Sequence, residues 1–299
     1  MGKVLVTGGL GQIGSYIVER LSDMHKVTVI DNYSSPAKEE VPDGVNVIRA
    51  DVQDPNIQKV VSENNVIIHT AAQISVERST RDPLFDALNN INGTINLLEA
   101  ARSGAVERFV YLSSAAVFGE PVKLPIDELH PQNPLSPYGV SKLGGEKYCM
   151  AYHSTYGLAT VCTRLFNIYS PRQNPENPYS GVISKFIDCV ADGKPPLIFG
   201  DGSQTRDFVS VHDVVDMITI VMEEEDAIGE VYNVGTGNKI NIYDLAKLVI
   251  ELSGKDLDIE YCESRKGDIV ESYADISKAK KIGYLPKIKL KEGLMDMIS

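Results

Sequence analysis

The sequence predicts an α/β protein: a doubly wound parallel sheet followed by a smaller C-terminal α/β lobe. Three observations carry this. Short β-branched runs alternate with helical patterns through the first half of the chain. The first run leads straight into a glycine-rich turn that opens a helix. After about residue 168 the regular alternation gives way to a stretch rich in proline and asparagine, residues 170–181. A chain of 299 residues has room for two units. We place the first at 1–168 and the second at 169–299, with 208–238 expected to return to the first.

The elements follow in order. Val4-Leu5-Val6 reads as a strand, and an amphipathic helix runs from the glycine turn to about Leu21. Further strands are expected at Val27–Ile30, Val45–Ile48 and Val66–Ile68. A helix over about 84–102 precedes the strand Phe109–Leu112. Another helix over about 138–156 precedes Thr160–Cys162. Buried strands separated by helices are βαβ units, so the sheet is parallel with helices on both faces. In the second half, Phe208–Val211 and Val231–Val234 are expected to be strands that return to the main sheet.

Composition limits the function. With 43% hydrophobic and 23% charged residues the chain supports a core and is not disordered. A net charge of −12 argues against a nucleic-acid partner, whose footprint would be basic. The cysteines Cys149, Cys162, Cys189 and Cys262 are dispersed, as expected of reduced structural thiols in a cytoplasmic protein. No histidine spacing suggests a held metal. No secretory signal pattern is seen, and no apolar run reaches membrane-spanning length. The acidic run Glu223–Asp226 reads as a solvated helix end.

Thr7-Gly8-Gly9-Leu10-Gly11-Gln12-Ile13-Gly14 sits between the first strand and the first helix. Glycines there permit a tight turn and a close approach of backbone to a pyrophosphate, whose charge the helix N-terminus favours. The pattern is that of a Rossmann-type dinucleotide site. Asp31 closes the second strand near the spacing of roughly 20 residues at which a carboxylate meets ribose hydroxyls. It would repel a 2′-phosphate, so the cofactor expected is NAD and not NADP. Asp51, closing the third strand, is a candidate for the adenine edge or a plain turn residue.

Tyr138 and Lys142 lie four apart in Ser136-Pro137-Tyr138-Gly139-Val140-Ser141-Lys142 and so share a helical face. A phenol near pKa 10 is a poor base. A nearby ammonium is expected to lower that value, as is the positive charge of a bound nicotinamide ring, and so to make Tyr138 a proton acceptor. Ser114 ends a strand of the same sheet, where such folds present ligand-contacting groups, and its hydroxyl is a candidate relay to the tyrosine.

Together these residues resemble the extended short-chain dehydrogenase/reductase family, and within it the NAD-dependent nucleotide-sugar epimerases of the UDP-glucose 4-epimerase-like type. The resemblance spans essentially the whole chain. Its markers include residues 7–14, Asp31-Asn32, His69-Thr70-Ala71-Ala72, Asn90-Ile91-Asn92-Gly93-Thr94, 113–119, Tyr138 with Lys142, Arg164–Asn167, Gly200–Phe208 and Arg265–Asp268. It implies reversible C4 epimerisation of a UDP-hexose, N-acetylated forms included among the candidates, through a 4-keto sugar with tightly held NAD. It implies Tyr138 as base, Lys142 as its electrostatic partner and Ser114 as relay. Gly8, Gly11, Gln12, Ile13, Gly14, Asp31, Asn32, Asp51, Val52, Ala71, Ala72 and Asn90, with Tyr138 and Lys142, are implied to contact the dinucleotide. Ser114, Tyr138, Asn167, Arg206 and Arg265 are implied to contact the substrate, the arginines offering planar forks to its diphosphate. A homodimer formed through the Tyr138 helix and the one before it is also implied.

The departures from the family pattern are informative. Related dehydratases carry acidic residues just after the position of Ser114; this chain has Ala115-Ala116. Phe118 and Ser170 replace a usual tyrosine and glycine. Ser272 matches a position lining the sugar pocket, where a small residue leaves room for an N-acetyl group. The rival expectations are a nucleotide-sugar dehydratase or reductase, a threonine-dehydrogenase-like oxidoreductase, and a non-catalytic NAD-sensing protein.

Overall fold

The computed structural model describes residues 2–173, 181–264 and 267–298. Six strands appear where short β-branched runs stand in the first half: β1 (Lys3–Thr7), β2 (Lys26–Asp31), β3 (Asn46–Arg49), β4 (Val66–His69), β5 (Arg108–Ser114) and β6 (Thr160–Leu165). Between them lie α1 (Gly14–Ser22), α2 (Gln58–Ser62), α3 (Val76–Arg81), α4 (Pro83–Ala87), α5 (Gly93–Arg102) and α6 (Pro137–Tyr156). The helix expected over 84–102 is interrupted: a π-helical turn, Leu88–Asn92, joins α4 to α5.

The second half contains β7 (Asn167–Tyr169), α7 (Val182–Ala191), β8 (Leu197–Phe199), β9 (Thr205–Arg206), β10 (Phe208–Ser210) and α8 (Val211–Glu223). It continues with β11 (Val231–Val234), β12 (Ile240–Asn241), α9 (Ile242–Ser253), β13 (Glu260–Cys262), α10 (Ser277–Lys281) and α11 (Leu290–Ile298). The main sheet is parallel throughout, in the order β11-β6-β5-β4-β1-β2-β3. The order reverses between β1 and β4, and that crevice is where doubly wound sheets take their ligands.

One expected strand goes elsewhere. β11 joins the main sheet beside β6, but β10 pairs in parallel with β7 in a separate two-stranded ribbon. The stretch 208–238 therefore divides. The reason lies at Asp207, whose buried carboxylate accepts from the N–H groups of Thr236, Gly237 and Ala274 and the hydroxyl of Thr236. That anchor holds the start of β10 off the sheet edge. The third strand also ends at Arg49, two residues short of Asp51.

Alternation along the strands divides the core. Val4, Val6, Val29 and Ile68 face a layer containing Ile17, Val18, Val214 and Ile218 of α1 and α8. Leu5, Ile30, Ile67 and Phe109 face the other layer, with Leu97, Leu98 and Cys149 of α5 and α6. A third cluster, including Phe186, Ile198, Leu245 and Leu294, belongs to the second half. Each such side chain contributes roughly 1.5–3 kcal/mol when fully buried. No helix among the described residues is long and apolar enough to cross a membrane.

Candidate active site

The glycine turn closes over β1. A Cβ at Gly14 would stand 2.1 Å from the Gly8 carbonyl oxygen, so only glycine lets α1 begin so close to the turn. Gly11 donates to Gly8 O at 3.0 Å, and no side chain caps the start of α1 at Ile13. Gln12 carries a buried Nε2 that has no hydrogen-bond partner among the described residues. Asp31, 8% exposed, accepts from Leu10 N at 3.0 Å and Tyr33 N at 2.8 Å, leaving further lone pairs for hydroxyl donors. An uncapped helix start, an orphaned amide donor and an acceptor carboxylate at the end of the next strand fit a dinucleotide.

The neighbouring positions are mutually braced. Asn32 donates to Asp51 Oδ2 at 2.8 Å, tying the ends of β2 and β3 together. Val52 is buried and meets Gly93 at the start of α5. Ala71 and Ala72 follow β4 directly, with Ala71 N 3.4 Å from Thr7 Oγ1. His69, beneath them, is tautomer-locked. Thr94 spends its proton on Asn90 O at 2.6 Å, so His69 Nε2 donates to Thr94 Oγ1 at 3.0 Å and Nδ1 accepts from Thr7 Oγ1 at 2.8 Å. Burial, and then the charge of Lys142, push this imidazole down to about 3, so it is neutral.

Asn90 is committed to the protein. Its amide donates to Gln73 O, Asp86 Oδ1 and Ser141 Oγ at 2.9, 3.2 and 3.0 Å, and its oxygen accepts from Gln73 N at 2.8 Å. With 1% exposure, its side chain braces the site from behind.

Tyr138 and Lys142, the candidate reacting pair, sit on α6. Ser136 accepts from Gly139 N at 3.1 Å and Pro137 begins the first turn, which fixes where the helix starts. A Cβ at Gly145 would stand 2.3 Å from the Tyr111 hydroxyl, so glycine there lets α6 seat tightly on β5. Ser114 ends β5, caps the turn Ala115–Val117 through Ala116 N at 3.2 Å, and lies close enough to the Tyr138 phenol to lower its proton affinity. Ser114 and Tyr138 are thus brought together as expected.

One electrostatic expectation is corrected. The Tyr138 phenol is pushed up, not down: desolvation raises it, the Ser114 contact lowers it, and the charge of Asp86 raises it. Lys142 is not among the influences on it. Its ammonium lies over the Tyr111 ring, 4.6 Å from the centroid, and burial brings it down to about 8. The sequence gives the spacing of the pair; it does not give the low-polarity packing around both groups.

Asn167 is exposed on β7, and its N–H donates to Asp207 O at 3.1 Å, which sets it beside Arg206. Arg206 is engaged by Asp268 at 2.5 Å and by the carbonyls of Ile269 and Thr205. Arg265 lies outside the described residues. Ser272, 8% exposed, donates its N–H to Thr205 O at 3.2 Å, alongside Arg206. Asp86, Gln73 and Ser141, which tie Asn90 to α6, carried no sequence signal, because isolated polar residues in helical patterns read as surface.

Comparison with known proteins bears on this geometry. Residues 4–235 match the family described as NAD dependent epimerase/dehydratase. A putative UDP-glucose 4-epimerase of Methanocaldococcus jannaschii is 39% identical over 300 residues, covering 99% of this chain and 97% of that one. Among solved structures, the UDP-N-acetylglucosamine 4-epimerase of Methanobrevibacter ruminantium, in complex with UDP-N-acetylmuramic acid, superposes with a TM-score of 0.96 at 36% identity, covering 99% of this chain and 97% of that chain. The UDP-glucose 4-epimerase of Thermotoga maritima with UDP-glucose gives 0.95 at 37% identity, with the same two coverages.

Proposed function

The chain belongs to the NAD dependent epimerase/dehydratase family, and on that premise we propose that it catalyses reversible C4 epimerisation of a UDP-hexose through a 4-keto sugar. The observation that carries this reading is the Ser114–Tyr138 contact at the C-terminal edge of the sheet, followed by a turn, Ala115–Val117, without any acid. Elimination of water from the sugar would call for a general acid there. Epimerisation needs only one proton moved back and forth at one hydroxyl.

Gly11, Gln12, Ile13 and Gly14 would hold the pyrophosphate of NAD and Asp31 its ribose. When bound, NAD supplies a reversible hydride acceptor at the sugar carbon. Tyr138 takes the proton of the 4′-hydroxyl and returns it, with Ser114 orienting the exchange. Lys142 contributes a positive charge that is present below about pH 8 and lost as pH rises through that value. Asn167, Arg206 and Arg265 grip the diphosphate, and Arg206 exchanges its Asp268 contact to do so. The small side chain of Ser272 supports acceptance of N-acetylated hexoses beside UDP-glucose and UDP-galactose.

Tyr138→Phe, assayed with UDP-glucose, UDP-galactose and their N-acetylated forms, is expected to lose about 10²–10⁴-fold in turnover. Wild-type turnover in this variant would remove the assignment. Release of water or net consumption of NADH by the wild type would point to a dehydratase or a reductase instead.

The reading includes a homodimer through α4 and α6. Leu84, Leu88, Val140 and Tyr148 are 69, 37, 53 and 42% exposed on these elements and their junction, and Val140, with Pro83, Ala87, Ile91 and Leu135, lines a groove of about 480 Å³. Sedimentation should give twice the chain mass for wild type, and Leu84→Asp should halve it; a wild-type monomer at micromolar concentration contradicts this part.

A further inference from the structure

Asp86 stands on α4 behind the site and has no part in the mechanism above. It is 1% exposed. Its Oδ1 accepts from Gln73 Nε2 at 2.7 Å and Asn90 Nδ2 at 3.2 Å. Its Oδ2 is equally buried and has no hydrogen-bond partner among the described residues. Among the described residues no lysine or arginine forms an ion pair with it. A buried carboxylate with one oxygen uncommitted and no counter-cation is rare enough to call for a reason.

Its neighbours supply one. Through Gln73 it reaches the segment just after β4, since Gln73 also bonds the N–H and carbonyl of Ser75. Through Asn90 it reaches Ser141, whose hydroxyl donates to Tyr138 O at 3.0 Å. Ser141 is the residue before Lys142 in the chain. One carboxylate thus ties together α4, the π turn, the segment carrying Ala71 and Ala72, and the first turn of α6.

Resting on the reading of Tyr138 and Lys142 as the reacting pair, we propose that Asp86 is a positioning residue of the same reaction, a buried carboxylate whose hydrogen-bond network holds α6 in register and whose charge bears on the Lys142 amine. The groups that face Lys142 are Cys149 and Glu146 of α6, Cys162 of β6, His69 of β4, Tyr111 of β5 and Asp86 of α4. The imidazole is neutral, and Glu146 is saturated by Arg164 and Ser113. Asp86 is the carboxylate in this set that has no ion pair with a lysine or arginine among the described residues. It also faces Tyr138, together with Ser114 and Tyr111. There burial is the larger influence on the phenol, and the carboxylate acts in the same direction.

The test is a titration of Lys142 in the full protein labelled with ¹³Cε-lysine, the resonance being assigned by its loss in Lys142→Gln. Wild type should titrate near pH 8. Asp86→Asn and Asp86→Ser should titrate lower by on the order of one pH unit, as expected for the loss of one nearby charge at an effective dielectric near 20. Asp86→Glu should stay near wild type. Turnover of UDP-sugars should move with it, both limbs of the pH profile shifting to lower pH in the neutral variants. An unmoved Lys142 titration in a folded neutral variant overturns the proposal. So does failure of both neutral variants to fold when Asp86→Glu folds, which would make the carboxylate purely structural. If wild type turns over no UDP-sugar, the proposed reaction fails by itself, and the titration still decides the role of Asp86.

Discussion

Two buried carboxylates flank Lys142, and they are held in opposite ways. Glu146, one turn further along α6, is 0% exposed and fully compensated: Arg164 grips both its oxygens at 2.7 and 2.9 Å, and Ser113 donates at 2.9 Å. Arg164 in turn donates to Glu128 O at 2.9 Å and lies over the Phe118 ring. Asp86, on the other side, has two amide donors on one oxygen and none on the other. The first arrangement is closed and joins β5, β6 and α6. The second leaves one carboxylate oxygen without a hydrogen-bond partner among the described residues, on a network that reaches the first turn of α6 through Asn90 and Ser141. Compensated burial builds architecture, and uncompensated burial alters the proton affinity of its neighbours.

The comparison can be broken first at the closed end. Glu146→Gln strands the Arg164 guanidinium in the core, and is expected to cost about 3–5 kcal/mol in chemical denaturation. A cost below about 1 kcal/mol would mean that the pair is not the brace described here.

The smaller effect lies in pH. His69 is neutral in the fold at about 3, whereas in the unfolded chain it titrates near 6.5. The unfolded state therefore binds the extra proton between those values. Stability is fully present above pH 6.5 and is lost as pH falls toward 3. Between pH 6.5 and 5 the loss is expected to be about 2 kcal/mol. His69→Gln should flatten that slope whatever it does to stability at pH 7; an unchanged slope would place the titration elsewhere.

How much of this was legible beforehand depends on the range of the interaction. The order of strands and helices in the first half follows from local periodicity, and six strands appear where β-branched runs stand. The glycine turn, Asp31 and the spacing of Tyr138 and Lys142 are likewise local patterns. The π turn at Leu88–Asn92 interrupts a pattern that reads as one helix. β10 reads as a strand but not as one that pairs with β7, because its pairing is decided by Asp207 and its distant donors. Asn90 is legible as a family marker, but its commitment to Gln73, Asp86 and Ser141 is not.

The sequence by itself determined the doubly wound sheet and the glycine turn, and it singled out the phenol, amine and hydroxyl proposed to react. These rest on side chains a few residues apart, whose relation the backbone geometry of a strand, turn or helix dictates. Tertiary structure decided the proton affinities of Tyr138 and Lys142, the tautomer of His69 and the isolation of Asp86. Those depend on how much solvent is excluded and which charges arrive from other elements, quantities that exist only once the chain has packed.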